Sequence, residues 1–150
     1  MWWMTRRHLA RVVDAGRIAG AVAGWEARTS GEIAISIAPW FWGSVEAAAA
    51  RAFARLGVDR TVERNGVLLF VVPSRRRFVL QGDEAAHARL GQRFWDETAA
   101  ALAGELRAGL DLTSAIVRGV ERIGAALAEA FPPRGPRTNV LDDAPEFPRR

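Results

Sequence analysis

The spacing of apolar positions changes twice in the first third of the chain. Leu9, Val12, Val13, Ala19, Val22 and Trp25 recur at near-helical intervals, while Arg11, Asp14, Arg17 and Glu26 fall elsewhere around the wheel. One amphipathic helix is expected over residues 6–27. Gly31 breaks that pattern, and Ile33, Ile35 and Ile37 then alternate with Ala34, Ser36 and Ala38, a period of two that demands a strand. The small residues on its second face leave room for a closely packed helix. Pro39 ends the strand, and Trp40, Phe41, Trp42 and Gly43 form an aromatic loop before Ser44, an N-cap with Glu46 in the first turn. The helix that follows has Val45, Ala48, Ala49, Ala52, Phe53 and Leu56 as its apolar stripe, with Gly57 where a left-handed C-terminal residue is usual.

Asn65-Gly66 marks a turn, expected to supply a positive φ, before the unbroken apolar run Val67 to Val72, which reads as a strand buried on both faces. Pro73 to Arg76 separate that run from Phe78, Val79 and Leu80, the pattern of an antiparallel hairpin with a basic tip. Gly82 closes the third strand. Asp83 is then placed to cap a short helical turn, and Gln92 to Arg107 present Trp95, Ala99, Leu102 and Leu106 on one helical face. Gly109 ends that helix, Asp111 caps another, and its stripe Ile116, Val120, Ile123, Leu127 and Phe131 runs until Pro132 and Pro133 stop it. The element order α-β-α-β-β-α-α predicts an α/β fold, a small mixed sheet with helices on both faces. Residues 6–131 are expected to form that domain. Residues 132–150 carry five prolines and few core candidates, and are expected to be an extended or disordered tail.

Composition narrows the function classes. A length of 150 residues suits a single domain. All 21 basic residues are Arg, yet the formal net charge is only +4 and the arginines are scattered apart from Arg75, Arg76 and Arg77, so nucleic acid is not an expected partner. With no Cys there is no disulfide, thiolate nucleophile or Cys-based zinc site. The opening MWWM is followed at once by Thr5, Arg6, Arg7 and His8, too short an apolar stretch for a signal or a membrane span, which predicts a soluble, cytoplasmic protein.

Thr29-Ser30-Gly31-Glu32-Ile33, Leu56-Gly57, Arg64-Asn65-Gly66-Val67-Leu68-Leu69, Gly82-Asp83, Phe94-Trp95 and Phe131-Pro132, in this order and spacing, resemble the TPM domain. The likeness spans residues 8–131, and the tail with Asn139, Val140 and Leu141 is similar to those of short bacterial members. The family is named for a thylakoid lumen protein, a photosystem II repair protein and a receptor modulator. The resemblance implies a helix-flanked sheet. It implies no single activity, since some plant members are weak acid phosphatases and some members bind calcium or other divalent cations through acidic loop residues. Longer members add a signal peptide and a C-terminal membrane helix, and neither is expected here. The loop after the third strand, Gly82-Asp83-Glu84-Ala85-Ala86-His87, also departs from theirs.

The candidate chemistry is sparse. Asp59, Glu63 and Asn65, with Asp83 and Glu84, are the residues that could hold Ca²⁺ or Mg²⁺, since such ions take oxygen ligands; the competing reading is turn chemistry with solvated acids and Asp83 as a helix cap. Glu32 at the mouth of the first strand either binds a metal or stays exposed and helps end the preceding helix. His8 and His87 could transfer protons only within a pocket, and a solvated helix position is the ordinary alternative for His87. Arg75 to Arg77 could recruit phosphate, or keep a hairpin tip soluble. No nucleophile elbow, P-loop, zinc-protease or dinucleotide fingerprint occurs. Trp40, Phe41 and Trp42 cannot all enter one core, which makes them candidates for contact with a protein partner or a membrane surface. Three functions compete: a non-catalytic domain binding a partner or a divalent cation, a weak metal-assisted phosphatase, and a peripheral membrane protein.

Overall fold

The computed structural model describes residues 4–135 and 140–149. Its centre is a three-stranded mixed sheet in the order β1-β2-β3, formed by β1 (Glu32–Ile37), β2 (Gly66–Val72) and β3 (Arg77–Gly82). β1 runs parallel to β2, with Ile35 opposite Leu69, and β3 returns antiparallel, with Leu80 opposite Leu69. Every residue of β2 is buried, as an unbroken apolar run between two strands and two layers requires. On one face Ile33, Ile35, Ile37, Val67, Leu69, Val71, Phe78 and Leu80 pack against α2 (Ala15–Glu26), α4 (Glu84–Arg107) and α5 (Leu112–Ala130). On the other, Ala34, Ala38, Leu68, Phe70 and Val72 meet Val45, Ala49 and Ala52 of α3 (Val45–Arg55). The small side chains of α3 let it lie close over β2 and β3.

The expected first helix is two helices, α1 (Arg6–Val12) and α2. Val13 is extended, and the Asp14 carboxylate accepts the Arg17 N–H at 3.0 Å, a local bond that competes with helix continuation. The Asp14 N–H is taken by Thr113 Oγ1 of α5 at 3.1 Å. The break turns Val12 outward and brings Leu9, Val13, Ile18 and Val22 into the core. Glu26, placed on the polar side by the wheel, is only 2% exposed; its Oε2 accepts the Ile33 N–H of β1 at 2.7 Å.

Ser44 and Asp111 cap α3 and α5 as anticipated, accepting the N–H groups of Ala47 and Ser114. The turn into β2 works differently from the expectation. Arg64, not Asn65-Gly66, carries the positive φ, at 52°. Gly66 is required for space, because a Cβ there would lie 2.6 Å from the Val58 carbonyl oxygen. α4 consists of two helical segments that meet at a kink at Gly91, where φ 81° and ψ 162° are outside the helical region, and these segments correspond to the expected short turn followed by a helix from Gln92.

The described part of the C-terminal segment is extended, but it contributes more to the core than its composition suggested. Leu141 is 5% exposed and joins the α3 side of the sheet. Glu146 forms a parallel bridge with Ser36 on the outer edge of β1: the Ile37 N–H donates to Glu146 O and the Glu146 N–H to Ile35 O, each at 2.8 Å. The edge strand is thereby partly covered.

Candidate functional site

At the carboxyl end of β1 the chain leaves the sheet through Ala38 and Pro39 and enters the aromatic loop before α3. Trp40 and Trp42 meet edge to face, with ring centres 4.7 Å apart, and the Trp40 N–H is anchored on the Met4 carbonyl at 2.9 Å. Trp40 and Phe41 are half-buried, whereas Trp42 is 83% exposed. The loop is braced from the β2–β3 turn. Arg75 donates to the carbonyls of Gly43 at 2.6 Å and Phe41 at 2.5 Å, and its guanidinium lies 4.6 Å from the centre of the Phe41 ring. Arg77 pairs with Glu46 at 2.6 Å, and this hydrogen bond holds the Glu46 carboxyl below the usual carboxylate range. Two of the three arginines expected to be a solvated tip therefore hold the loop and the start of α3.

Between the loop and α3 lies a pocket of about 280 Å³. Its wall is largely apolar, from Ala38, Pro39, Trp40, Phe41, Trp42, Ala48, Phe70 and Pro148, with Arg51 and Arg55 on the α3 side. Glu146 binds Arg55 through two hydrogen bonds, of 2.8 and 3.0 Å, which raises the guanidinium pKa further above its ordinary value. Arg51 has no hydrogen-bond or ion-pair partner among the described residues. The site thus joins an aromatic wall, one engaged arginine and one available arginine, at the end of the parallel strands where open α/β sheets receive ligands.

The acidic residues proposed from sequence do not form one group. Asp83 is bound bidentately by Arg64, at 2.6 and 3.1 Å, and makes no side-chain cap for α4. The Arg64 carbonyl serves in that place, accepting the Ala85 N–H at 3.0 Å. Glu84 is exposed and 3.8 Å from Arg64, Asp59 is exposed, and Glu63 stands 3.6 Å from Arg134. Asn65 is buried and donates to Ser30 Oγ at 3.1 Å. Among the described residues no group of three or more His, Asp or Glu side chains is arranged to hold a metal ion. At the amino end of β1, Glu63 and Asn65 do share a second hollow of about 280 Å³ with Glu26, Glu32 and Thr61. Glu32 is buried there, contrary to the exposed alternative; its Oε1 accepts the N–H groups of Val140 and Leu141 at 2.7 and 2.9 Å, holding the C-terminal segment. The histidines lie apart, His8 on α1 and His87 exposed on α4, where its Nδ1 accepts the Trp95 indole N–H at 3.1 Å.

The roles of Arg51, Arg55 and Glu146 escaped the sequence reading. Arg51 and Arg55 stand four residues apart, a spacing that puts them on one face of α3, but nothing local shows that this face meets the aromatic loop.

Comparison with known proteins agrees with this architecture. The TPM domain family matches residues 12–126. The NMR structure of the BA42 protein from the psychrophilic bacterium Bizionia argentinensis superposes with a TM-score of 0.80 at 28% identity, over 91% of this chain and 96% of that one. No curated protein matches the chain.

Proposed function

The chain belongs to the TPM domain family, and we propose that within it this chain is a non-catalytic binding domain whose recognition site is the aromatic pocket at the carboxyl end of β1. One observation carries the reading: three consecutive large aromatics frame an open hollow, only Phe41 among them packing against the core, and Trp42 at 83% exposure remains available for contact. Leaving such a side chain in water forgoes roughly 1.5–3 kcal/mol of burial, a cost a bound partner can recover. A fragment screen read by amide and indole shifts of the ¹⁵N-labelled protein tests this. Hits are expected to move Trp40, Trp42 and residues 38–51. Hits confined to another face, or none, would remove the proposal.

Divalent-cation binding has support at a different place from the acidic loop residues taken together. Asn65 Oδ1 and Thr61 Oγ1 are buried without a hydrogen-bond partner among the described residues, and both residues line the hollow that Glu63 also borders, where a cation would have to displace Arg134, 3.6 Å from Glu63. Of the residues suggested from sequence, Glu63 and Asn65 fit this reading, and Asp59, Asp83 and Glu84 do not. The weak-phosphatase reading has no comparable geometric support, and the peripheral-membrane reading draws on the same exposed Trp42. Among the described residues no helix is long and apolar enough to cross a membrane.

A further inference from the structure

We infer that the aromatic pocket takes a small amphipathic anion, an aryl or alkyl carboxylate, whose head group pairs with Arg51 and competes with Glu146 for Arg55. The inference rests on the pocket being the binding site. Its volume of about 280 Å³ lies just below the usual range of small-molecule sites, roughly 300–1,000 Å³, which suits one ring system or a short chain. The lining carries two cations and no acidic residue. A neutral apolar ligand would dehydrate Arg51 without replacing its water partners, an unfavourable exchange, whereas a carboxylate answers the guanidinium fork with paired charge-assisted hydrogen bonds.

Arg55 already displays that chemistry. Its Nε and Nη2 bind the two oxygens of Glu146, so the chain's own carboxylate already engages the guanidinium fork that a ligand head group would compete for. The pair is displaceable, because the Arg55 and Glu146 side chains are 46% and 24% exposed and ion pairs in contact with water are weak. The segment that supplies Glu146 also supplies Pro148 to the pocket wall. Ligand entry and the seating of the C-terminal segment are therefore linked through one guanidinium.

The test titrates the full-length ¹⁵N-labelled protein with naphthalene-2-carboxylate and, separately, with the neutral naphthalene-2-carboxamide. The carboxylate is expected to shift the Trp40 and Trp42 indoles and to bind about tenfold more tightly than the amide. Arg51→Gln should abolish that preference. Glu146→Gln, which weakens the internal competitor, should tighten the carboxylate several-fold and leave the amide unchanged. Equal binding of the two probes would overturn the anion assignment while leaving the aromatic pocket as a binding site. Shifts confined to other faces would remove both. Weaker carboxylate binding by Glu146→Gln would overturn the competition. Sedimentation with anionic vesicles that Arg51→Gln abolishes, without naphthalene-2-carboxylate binding, would assign the arginines to a lipid surface and overturn the proposal.

Discussion

Asp83 joins β3 to α4, and a carboxylate at such a junction has three natural uses: capping the helix, binding a cation, or pairing with a base. Arg64 decides among them. Its left-handed backbone aims its carbonyl at the Ala85 N–H while its guanidinium closes on both Asp83 oxygens, so one residue supplies the cap and the counter-charge. Asp83 is 6% exposed and Arg64 45%, and water on the arginine side limits the value of the pair. Asp83→Ala is expected to cost about 1 kcal/mol in urea unfolding, and Asp83→Ser to recover none of it, because a hydroxyl cannot replace a bidentate carboxylate. Millimolar Ca²⁺ should leave the melting temperature difference between Asp83→Ser and the parent unchanged. Rescue by Ser would restore the cap, and a calcium-dependent gain lost in the variant would restore the cation site. Roles of this kind are hidden from local reading. Ser44 and Asp111 were legible because their acceptors serve N–H groups three residues on, whereas the partners of Asp83 and Glu146 lie 19 and 91 residues away in sequence.

Elements were legible wherever an apolar period ran uninterrupted. The alternation of Ile33, Ile35 and Ile37 and the solid run from Val67 to Val72 became adjacent parallel strands, because a half-small strand and a two-sided strand can be buried together only between layers. What the period could not reveal was where a helix bends. Asp14 splits α1 from α2 through a side-chain hydrogen bond and a contact with Thr113, and the wheel averages over both. The break at Gly91 falls between the expected short turn and the helix from Gln92, and the structure gives its reason: that backbone conformation is open essentially to glycine alone. Two alanine substitutions in the same element should therefore act in opposite directions. Gly91→Ala meets no atom within 4 Å yet should cost about 1–3 kcal/mol from backbone strain. Gly104→Ala, in the second segment with only the Arg107 guanidinium nearby at 4.0 Å, should gain up to about 1 kcal/mol by lowering the entropy lost on helix formation. Chemical denaturation of the pair checks both signs. A stabilising Gly91→Ala would mean that α4 runs straight.

At the scale of the whole molecule, the C-terminal segment ties the two ends of β1 together. Glu32 at the first residue of the strand holds Val140 and Leu141, Glu146 bridges the backbone on both sides of Ser36, and Pro148 closes the pocket beyond Ala38. α1 is drawn in as well, since Arg6 Nε donates to the Phe147 carbonyl at 2.7 Å. Composition could not reveal this, because proline-rich sequence is equally suited to a free tail and to an extended strap, and a single Leu carries no period. The strap's removal has a calculable consequence. Deleting residues 140–150 uncovers the Leu141 site, worth roughly 1.5–3 kcal/mol, and leaves the buried Glu32 carboxylate without two hydrogen bonds to its charged group. A loss of about 3–5 kcal/mol is expected, short of unfolding a domain with stability near the middle of the usual 5–15 kcal/mol range, since the core on the α2, α4 and α5 side loses only the partly buried Phe147 from its margin. The truncated chain should thus melt cooperatively at a lower temperature and, with the β1 edge exposed, associate more readily at high concentration. Glu32→Gln in the full chain should reproduce only part of the loss, because the amide oxygen still accepts from Val140 and Leu141 without the charge. Calorimetry with sedimentation velocity measures both effects. An unchanged melting temperature on truncation would show that the strap adds nothing to the fold, and an equally large loss from Glu32→Gln would place the stabilisation in the carboxylate rather than in the buried leucine.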